Sequence, residues 1–295
     1  MSDEATVTAV IPCFNHGRFL AESVASLVAQ TLPTWRAMIV DDGSTDGVTP
    51  ALADREAADP RVTVLHLPEN RGRSLARNAG IEAATTEAVF SLDSDDVLDP
   101  AHFAITVPLL LSDRAVGIVY TDYRRFGGQQ GLLRGAPFDA STVYRRRYIW
   151  AGSLYRRSAW ARTEGYRDAF RDGNEDYDFF LSLLEAGYVG RYVPRPLVNY
   201  RSHVDSWTSS GVGGGDRVYR SRLRLYEYHR EGFDRAGATR RFLVETHHEE
   251  ARRLAHLGQR AKAREILDRA LALAPFHPAL HVTRWLVRGR DAPHG

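Results

Sequence analysis

The sequence predicts an α/β chain: a mostly parallel, doubly wound sheet followed by a small α-helical region. Three observations carry this prediction. Short apolar runs alternate with segments of helical period through the first 120 residues, the rhythm of βαβ units. Two of those runs end in acidic clusters, Val40-Asp41-Asp42-Gly43-Ser44-Thr45-Asp46 and Phe90-Ser91-Leu92-Asp93-Ser94-Asp95-Asp96. Beyond the glycine-rich stretch 211–215 the pattern is helical throughout.

The elements follow in order. Val7–Cys13 reads as a buried strand, and Phe19, Leu20, Ser23, Val24, Leu27 and Val28 then share one helical face. Trp35–Asp41 is the second strand, followed by a short helix over Thr49–Ala58. Val62–Leu67 is the third strand, Ser74–Ala84 a helix and Ala88–Asp93 the fourth strand. Pro100 suits a helix start, with that helix reaching Leu111, and Gly117–Tyr123 is a fifth strand. The signals then mix: a turn at 127–131, a strand over Trp150–Tyr155, a helix over Glu175–Ala186 stopped by Gly187, and an extended Arg191–Arg201. These readings place a first domain at 1–210, a linker at 211–215 and a helical tail at 216–295.

Composition narrows the function classes. The formal net charge of +2 is too small to imply nucleic-acid binding, and 43% hydrophobic with 26% charged residues is ordinary for a globular chain. Lys262 is the only lysine, so nearly all the basic residues are arginine. Cys13 is the only cysteine, which excludes an intrachain disulfide and suits a reducing compartment. The acidic Met1-Ser2-Asp3-Glu4 lacks a signal-peptide pattern. The longest apolar stretch, near Ala104–Leu111, falls short of the ~20 residues that span a bilayer. A cytoplasmic protein, peripheral at most to the inner membrane face, is expected.

Carboxylates at the carboxyl ends of parallel strands stand where ligands of open α/β sheets bind. Their desolvation is costly unless a cation or donor meets them. Asp93 and Asp95, one residue apart on an extended chain end, project to the same side and can share one hard divalent cation, which would also take the phosphates of a nucleotide. Gly72 lets backbone approach a ligand closely. Arg77 and Asn78 belong to the start of a helix whose N-terminus would favour a diphosphate. By residue type alone, Asp42–Asp46 equally suits a turn plus helix cap, and Glu175, Asp176 and Asp178 an acidic first helical turn.

Taken together, five motifs resemble the family-2 inverting glycosyltransferases, which have a GT-A nucleotide-sugar-binding fold. They are Val10-Ile11-Pro12-Cys13-Phe14-Asn15, the Asp-Asp-Gly-Ser-Thr-Asp at 41–46, the Asn70–Gly80 stretch, the Asp-X-Asp at 93–95 and Asn174-Glu175-Asp176-Tyr177-Asp178. They occur in that family's order over roughly residues 5–208. The resemblance implies that Pro12, Phe14 and Asp42 bind the base of a nucleotide-sugar donor, a UDP-sugar foremost, and that Asn15 also belongs to the nucleotide site. It implies that Gly72, Arg77 and Asn78 line the nucleotide and that Asp93 favours the ribose. Asp95 would hold the metal, Mn²⁺ or Mg²⁺, with His203 as a second ligand. Asp176 would be the general base for a hydroxyl acceptor.

Two other classes are weighed against it. A sugar-nucleotide pyrophosphorylase should carry a Gly-rich, Lys/Arg-containing loop after the first strand, which Pro12–Gly17 is not. A catalytically inactive scaffold would tolerate loss of the acidic sites that are jointly present here. Residues 124–171 hold eleven arginines against three acids, a local balance of +8, and suggest an anionic acceptor. The tail from Glu250 to Pro275 resembles one tetratricopeptide-type hairpin, which cannot bury its own apolar face; it is expected to pack on the catalytic domain or on a partner, or to mediate self-association. His281-Val282-Thr283-Arg284-Trp285 superficially echoes a processive-synthase motif but has His in place of Gln and is rejected.

Overall fold

The computed structural model describes residues 5–202 and 216–288; His203 and the glycine-rich 211–215 lie outside the described residues. The chain divides into two compact units. The first holds the described residues through Arg171 and those from Glu175 to Ser202. The second holds Asp172–Asn174 and the residues from Asp216 onward.

The first unit opens with β1 (Val7–Cys13), α1 (Leu20–Val28), β2 (Trp35–Asp41), α2 (Thr49–Glu56) and β3 (Val62–His66). It continues with α3 (Arg73–Ala83), β4 (Ala88–Ser91), β5 (Val97–Leu98) and α4 (His102–Leu111). Next come β6 (Val116–Gly127), β7 (Gly131–Leu133), α5 (Ala140–Arg145) and β8 (Leu154–Arg156). The last are α6 (Arg157–Trp160), α7 (Glu175–Glu185) and β9 (Val189–Ser202). One sheet joins the strands in the order β3-β2-β1-β4-β8-β6-β9-β5, with β7 paired to β6.

β3, β2, β1 and β4 are parallel neighbours, as the alternation in sequence predicts. Every residue of β1 is buried, because helices cover both faces of a parallel strand. α3 lies close on this layer. A Cβ on Gly80 would stand 2.4 Å from Val10 Cγ1 and 3.0 Å from Val40 Cγ2, so glycine there sets the helix-to-sheet gap.

The rest of the sheet is mixed. β8 runs antiparallel to both β4 and β6 and separates them, so the fifth strand expected from sequence does not sit beside the fourth. β8 is also shorter and later than the Trp150–Tyr155 strand expected: its three buried residues are too few to show a period. Its Arg156 is buried because its guanidinium donates to the carbonyls of Leu110, Asp113 and Val116 and pairs with Glu87. Residues 146–153 are therefore an irregular connection. β9 pairs with β6 in parallel through a register shift at Asp122, which faces Pro196; an irregularity of this kind accommodates a residue with no N–H to donate. The two acidic runs end as β2 and just after β4. Side by side with β1, these strands aim Asp41–Asp46 and Asp93–Asp96 to one edge.

The second unit contains α8 (Arg217–Tyr228), α9 (Arg230–Arg235), α10 (Thr239–His256), α11 (Arg260–Leu273) and α12 (Pro278–Arg288). α10 and α11 form a hairpin turned at Gly258, whose φ is +73°. Val244, Ala251, Leu267, Ala270, Leu271, Ala274 and Leu280 pack as its core. Ser221 of α8 donates to the Gly173 carbonyl and accepts from Asn174, which ties the short 172–174 segment into this unit. No helix among the described residues is long and apolar enough to cross a membrane.

Candidate active site

The end of β1 and the loop after β2 are pinned to each other. Asn15, at φ +53°, accepts from the Thr45 and Asp46 N–H groups at 2.8 and 3.1 Å, and its own N–H donates to Ser44 Oγ. Pro12 is buried and Phe14 is exposed (42%), so Phe14 is the side chain of this group that a ligand can reach. Asp41 accepts from Ser44 N–H and bonds His66 at 2.9 Å. Hydrogen bonds to Asp41 and Asp54 raise the His66 pKa above its ordinary 6.5.

Asp42 is a clamp. Its two carboxylate oxygens accept the N–H groups of Arg71 and Gly72, each at 2.8 Å. Burial pushes its carboxyl up and these two donors oppose the push. The two backbone donors just ahead of α3 are thus committed to a protein carboxylate. Gly72 has φ +86°, a conformation that glycine adopts without strain.

Arg77 and Asn78, expected from sequence to line the nucleotide, make their contacts with protein groups. Arg77 is 1% exposed; it pairs with Asp93 at 2.6 Å and Glu175 at 2.9 Å, and its guanidinium lies 5.3 Å from the Tyr166 ring centre. Glu175 also pairs with Arg73 at 2.7 Å. Both arginines hold the buried Glu175 carboxyl below its ordinary value against the desolvation that raises it. Asn78 exchanges hydrogen bonds with the Tyr166 backbone and accepts from Trp160 Nε1. Its amide is committed to fixing the turn at Gly165.

Asp93 keeps 35% of its side chain exposed despite Arg77. Asp95 is half-buried; its carbonyl accepts from Arg201 Nε at 2.8 Å, and the Arg201 N–H donates to Asp96 Oδ1 at 2.9 Å. Arg201 therefore fastens the end of β9 to this turn. Among the described residues no group of three His, Cys, Asp or Glu side chains is placed to hold a metal ion. The donor set still fits a hard divalent cation. Such ions are commonly held by one or two carboxylates completed by substrate phosphates, and Asp93 and Asp95 offer two.

Asp176 stands in the first turn of α7 and is 2% exposed. Its Oδ1 accepts the Tyr177 N–H at 2.8 Å and its Oδ2 pairs with Arg147. Burial raises its pKa, while the Arg147 charge pulls it down. A carboxyl raised in this way has a greater affinity for a proton than an ordinary aspartate. Ion pairs thus join Asp93, Arg77 and Glu175 into one connected group, with Asp95 and Asp176 adjoining its two ends in the chain. Asn15 and Asp42 serve as supports at the β1–β2 rim.

Sequence reasoning missed Arg73, Glu175, Arg147 and Arg201. Glu175 was visible as part of an acidic helix start and of the fifth motif, with no role of its own, and Arg147 only as one of eleven arginines in a basic stretch.

A curled, mixed sheet with acidic strand ends beneath a buried Glu-Asp helix start is the GT-A fold of glycosyltransferases, and solved structures share it. TarS of S. aureus superposes with a TM-score of 0.68 at 15% identity, covering 96% of this chain and 88% of that one. The mannosyltransferase PcManGT of Pyrobaculum calidifontis does so at 0.65 and 20%, covering 96% and 84%. The family model for glycosyl transferase family 2 matches residues 8–170, more than half of the chain. The chain belongs to that family and is a glycosyltransferase.

Among curated relatives, the pre-mycofactocin glycosyltransferase of Mycobacterium tuberculosis is 32% identical over 219 residues, 68% of this chain and 44% of that protein. The chondroitin synthase of Pasteurella multocida is 24% identical over 248 residues, 80% of this chain and 25% of that protein. The chain spans about a quarter of the length of the synthases it matches.

Proposed function

We propose that this enzyme is a metal-dependent, inverting glycosyltransferase that moves a sugar from a nucleoside-diphosphate sugar to a hydroxyl of a glycan or glycan precursor. The single observation that carries the reading is the ion-pair chain Asp93–Arg77–Glu175. It joins the acidic strand end, where the donor would lie, to the helix start that carries Asp176. Donor site and base are held at a fixed spacing by buried charges, which supplies the positioning that a single displacement needs.

Asp176 accepts the proton of the acceptor hydroxyl. The acceptor oxygen forms its bond to the anomeric carbon as the bond from that carbon to the diphosphate oxygen breaks. The electron pair leaves with the diphosphate, and the configuration inverts. Phe14 offers apolar contact to the base, and Asp93 lies on the ribose side. Asp95 would hold Mn²⁺ or Mg²⁺ with Asp93 alongside and His203 as a further ligand, and the bound cation supplies positive charge for the departing diphosphate. A solved neighbour in complex with GDP-Man and Mn²⁺ and another in complex with UDP-GlcNAc support a nucleotide-sugar donor. Relatives named chondroitin and hyaluronan synthases support a polysaccharide product.

Nucleotide release from a panel of UDP-, GDP- and dTDP-sugars with Mn²⁺ tests the reading. Asp95→Ala should abolish turnover with an unchanged melting temperature, since it removes a ligand and no core packing; full activity of cation-free enzyme in EDTA refutes metal dependence. Asp176→Asn should spare donor binding and lower kcat by ~10²–10⁴-fold. Wild-type turnover in that variant would leave Asp176 a helix-start residue only. Retention of the donor's anomeric configuration in the product, read by NMR, refutes the single displacement.

A further inference from the structure

The base is closed off in this conformation. Both carboxylate oxygens of Asp176 are taken, one by the Tyr177 N–H and the other by Arg147. The two partners of that ion pair are unequally accessible: the Asp176 side chain is 3% exposed and that of Arg147 39%. A molecule arriving from solvent meets the cation first. Arg147 sits on the irregular connection between α5 and β8, beside the exposed Arg145 and Arg146, and Arg146 lies over the Tyr148 ring.

Resting on the assignment of Asp176 as base, we propose that Arg147 is a specificity-determining residue that admits an acceptor carrying a carboxylate or phosphate next to its reacting hydroxyl. A neutral acceptor must break the Arg147–Asp176 pair and turn the guanidinium to solvent, with no new ion pair in return. An anionic acceptor replaces one carboxylate by another on the same planar fork, so the exchange costs little. The same exchange frees Asp176 Oδ2 for the hydroxyl. The charged and titratable groups that face Asp176 are then Glu175, Arg77, Tyr123 and Tyr166. The one cation among them, Arg77, is already committed to Asp93 and Glu175. Once Arg147 leaves, the base loses the nearest cation holding its proton affinity down, and becomes a stronger acceptor at the moment it is needed.

The test uses the full chain and two matched probes, methyl β-D-glucuronide and methyl β-D-glucoside, which differ only in the carboxylate. The Arg147 Nε–H signal is identified by NMR through its loss in Arg147→Lys. It should shift on titration with the glucuronide and stay in place with the glucoside. In nucleotide-release assays the wild-type kcat/KM should favour the glucuronide by about tenfold. In Arg147→Gln that preference should fall to within about twofold, with the acid limb of the kcat/KM–pH profile, which reports the acceptor-free enzyme, moved to higher pH; Arg147→Lys should restore part of the preference. An unchanged preference in Arg147→Gln, or equal movement of the signal by both glycosides, overturns the proposal. If neither glycoside accepts sugar, the NMR titration decides alone. Full transfer by Asp176→Asn would remove the base assignment, and the Arg147 signal would still report whether this arginine binds the anion.

Discussion

Replacing Arg77 with methionine tests the buried charge network most directly. The guanidinium is fully buried, between Asp93 at 2.6 Å and Glu175 at 2.9 Å. Methionine keeps much of the volume and removes the charge. Asp93 is partly solvated and can turn to water; Glu175, with 5% of its side chain exposed, cannot. Removing one partner of a buried pair costs about 3–5 kcal/mol. Two features place Arg77→Met near the lower end: Arg73 still meets Glu175 at 2.7 Å, and the Arg77 Nε has no acceptor in the native state. At about 2–4 °C per kcal/mol for a unit of this size, a loss of about 3 kcal/mol lowers Tm by about 6–12 °C. Circular-dichroism melts at low and high salt read it, and the loss should be the same in both because the pair is shielded from mobile ions. Adding Glu175→Gln should recover part of the loss, since the stranded charge goes with it. A Tm within about 2 °C of wild type, or strictly additive single variants, would refute the coupling of strand end to base helix through Arg77.

Two further outcomes follow from packing and burial. Gly80→Ala places a methyl 2.4 Å from Val10 Cγ1 and should cost about 1–3 kcal/mol by overpacking; Val10→Ala in the same chain should return most of it, and denaturant melts measure both. His102 is buried without a carboxylate partner, and burial lowers its pKa from 6.5 to about 3. A depressed histidine means that the unfolded chain takes up the proton first. The stability from His102 is therefore complete above pH 6.5 and declines as pH falls from 6.5 toward 3, by about 1.4 kcal/mol per unit within that window. Melts across pH 4–8 should show His102→Asn, itself less stable at pH 7.5, with a shallower acid decline than wild type. Parallel profiles for the two would refute it.

The parallel half of the sheet was legible because its strands are buried on both faces and read as unbroken apolar runs; β1 and β2 begin and end where the pattern says. β8 was illegible for the opposite reason: three residues with a buried arginine among them resemble a loop. The acids at the strand ends stood out in the sequence because a carboxylate there needs a partner. The partners of Arg77 and Asn78 were not legible because sequence shows residue type and spacing but not burial, and on α3 those two side chains bond Glu175 and the Tyr166 backbone. Arg147 was hidden by composition. Where nearly every basic residue is arginine, one that touches Asp176 looks like its ten neighbours in the same stretch.

Asp42 and Gly43 carry a consequence for how the donor arrives. A Cβ on Gly43 would meet the Glu69 carbonyl carbon at 2.4 Å, so two loops lie backbone against backbone, and Asp42 bonds the next turn of the same loop. The ordering entropy of this rim is lost once, when the protein folds, and not again at each turnover. Under the proposed reading, donor capture is then governed by diffusion and by the fit of the base, with no loop to settle first. The same economy narrows what evolution can alter. Asn15 and Asp42 cannot change without loosening the rim, so a shift in nucleotide preference has to pass through the exposed ring of Phe14, whose contacts are not already committed to the fold.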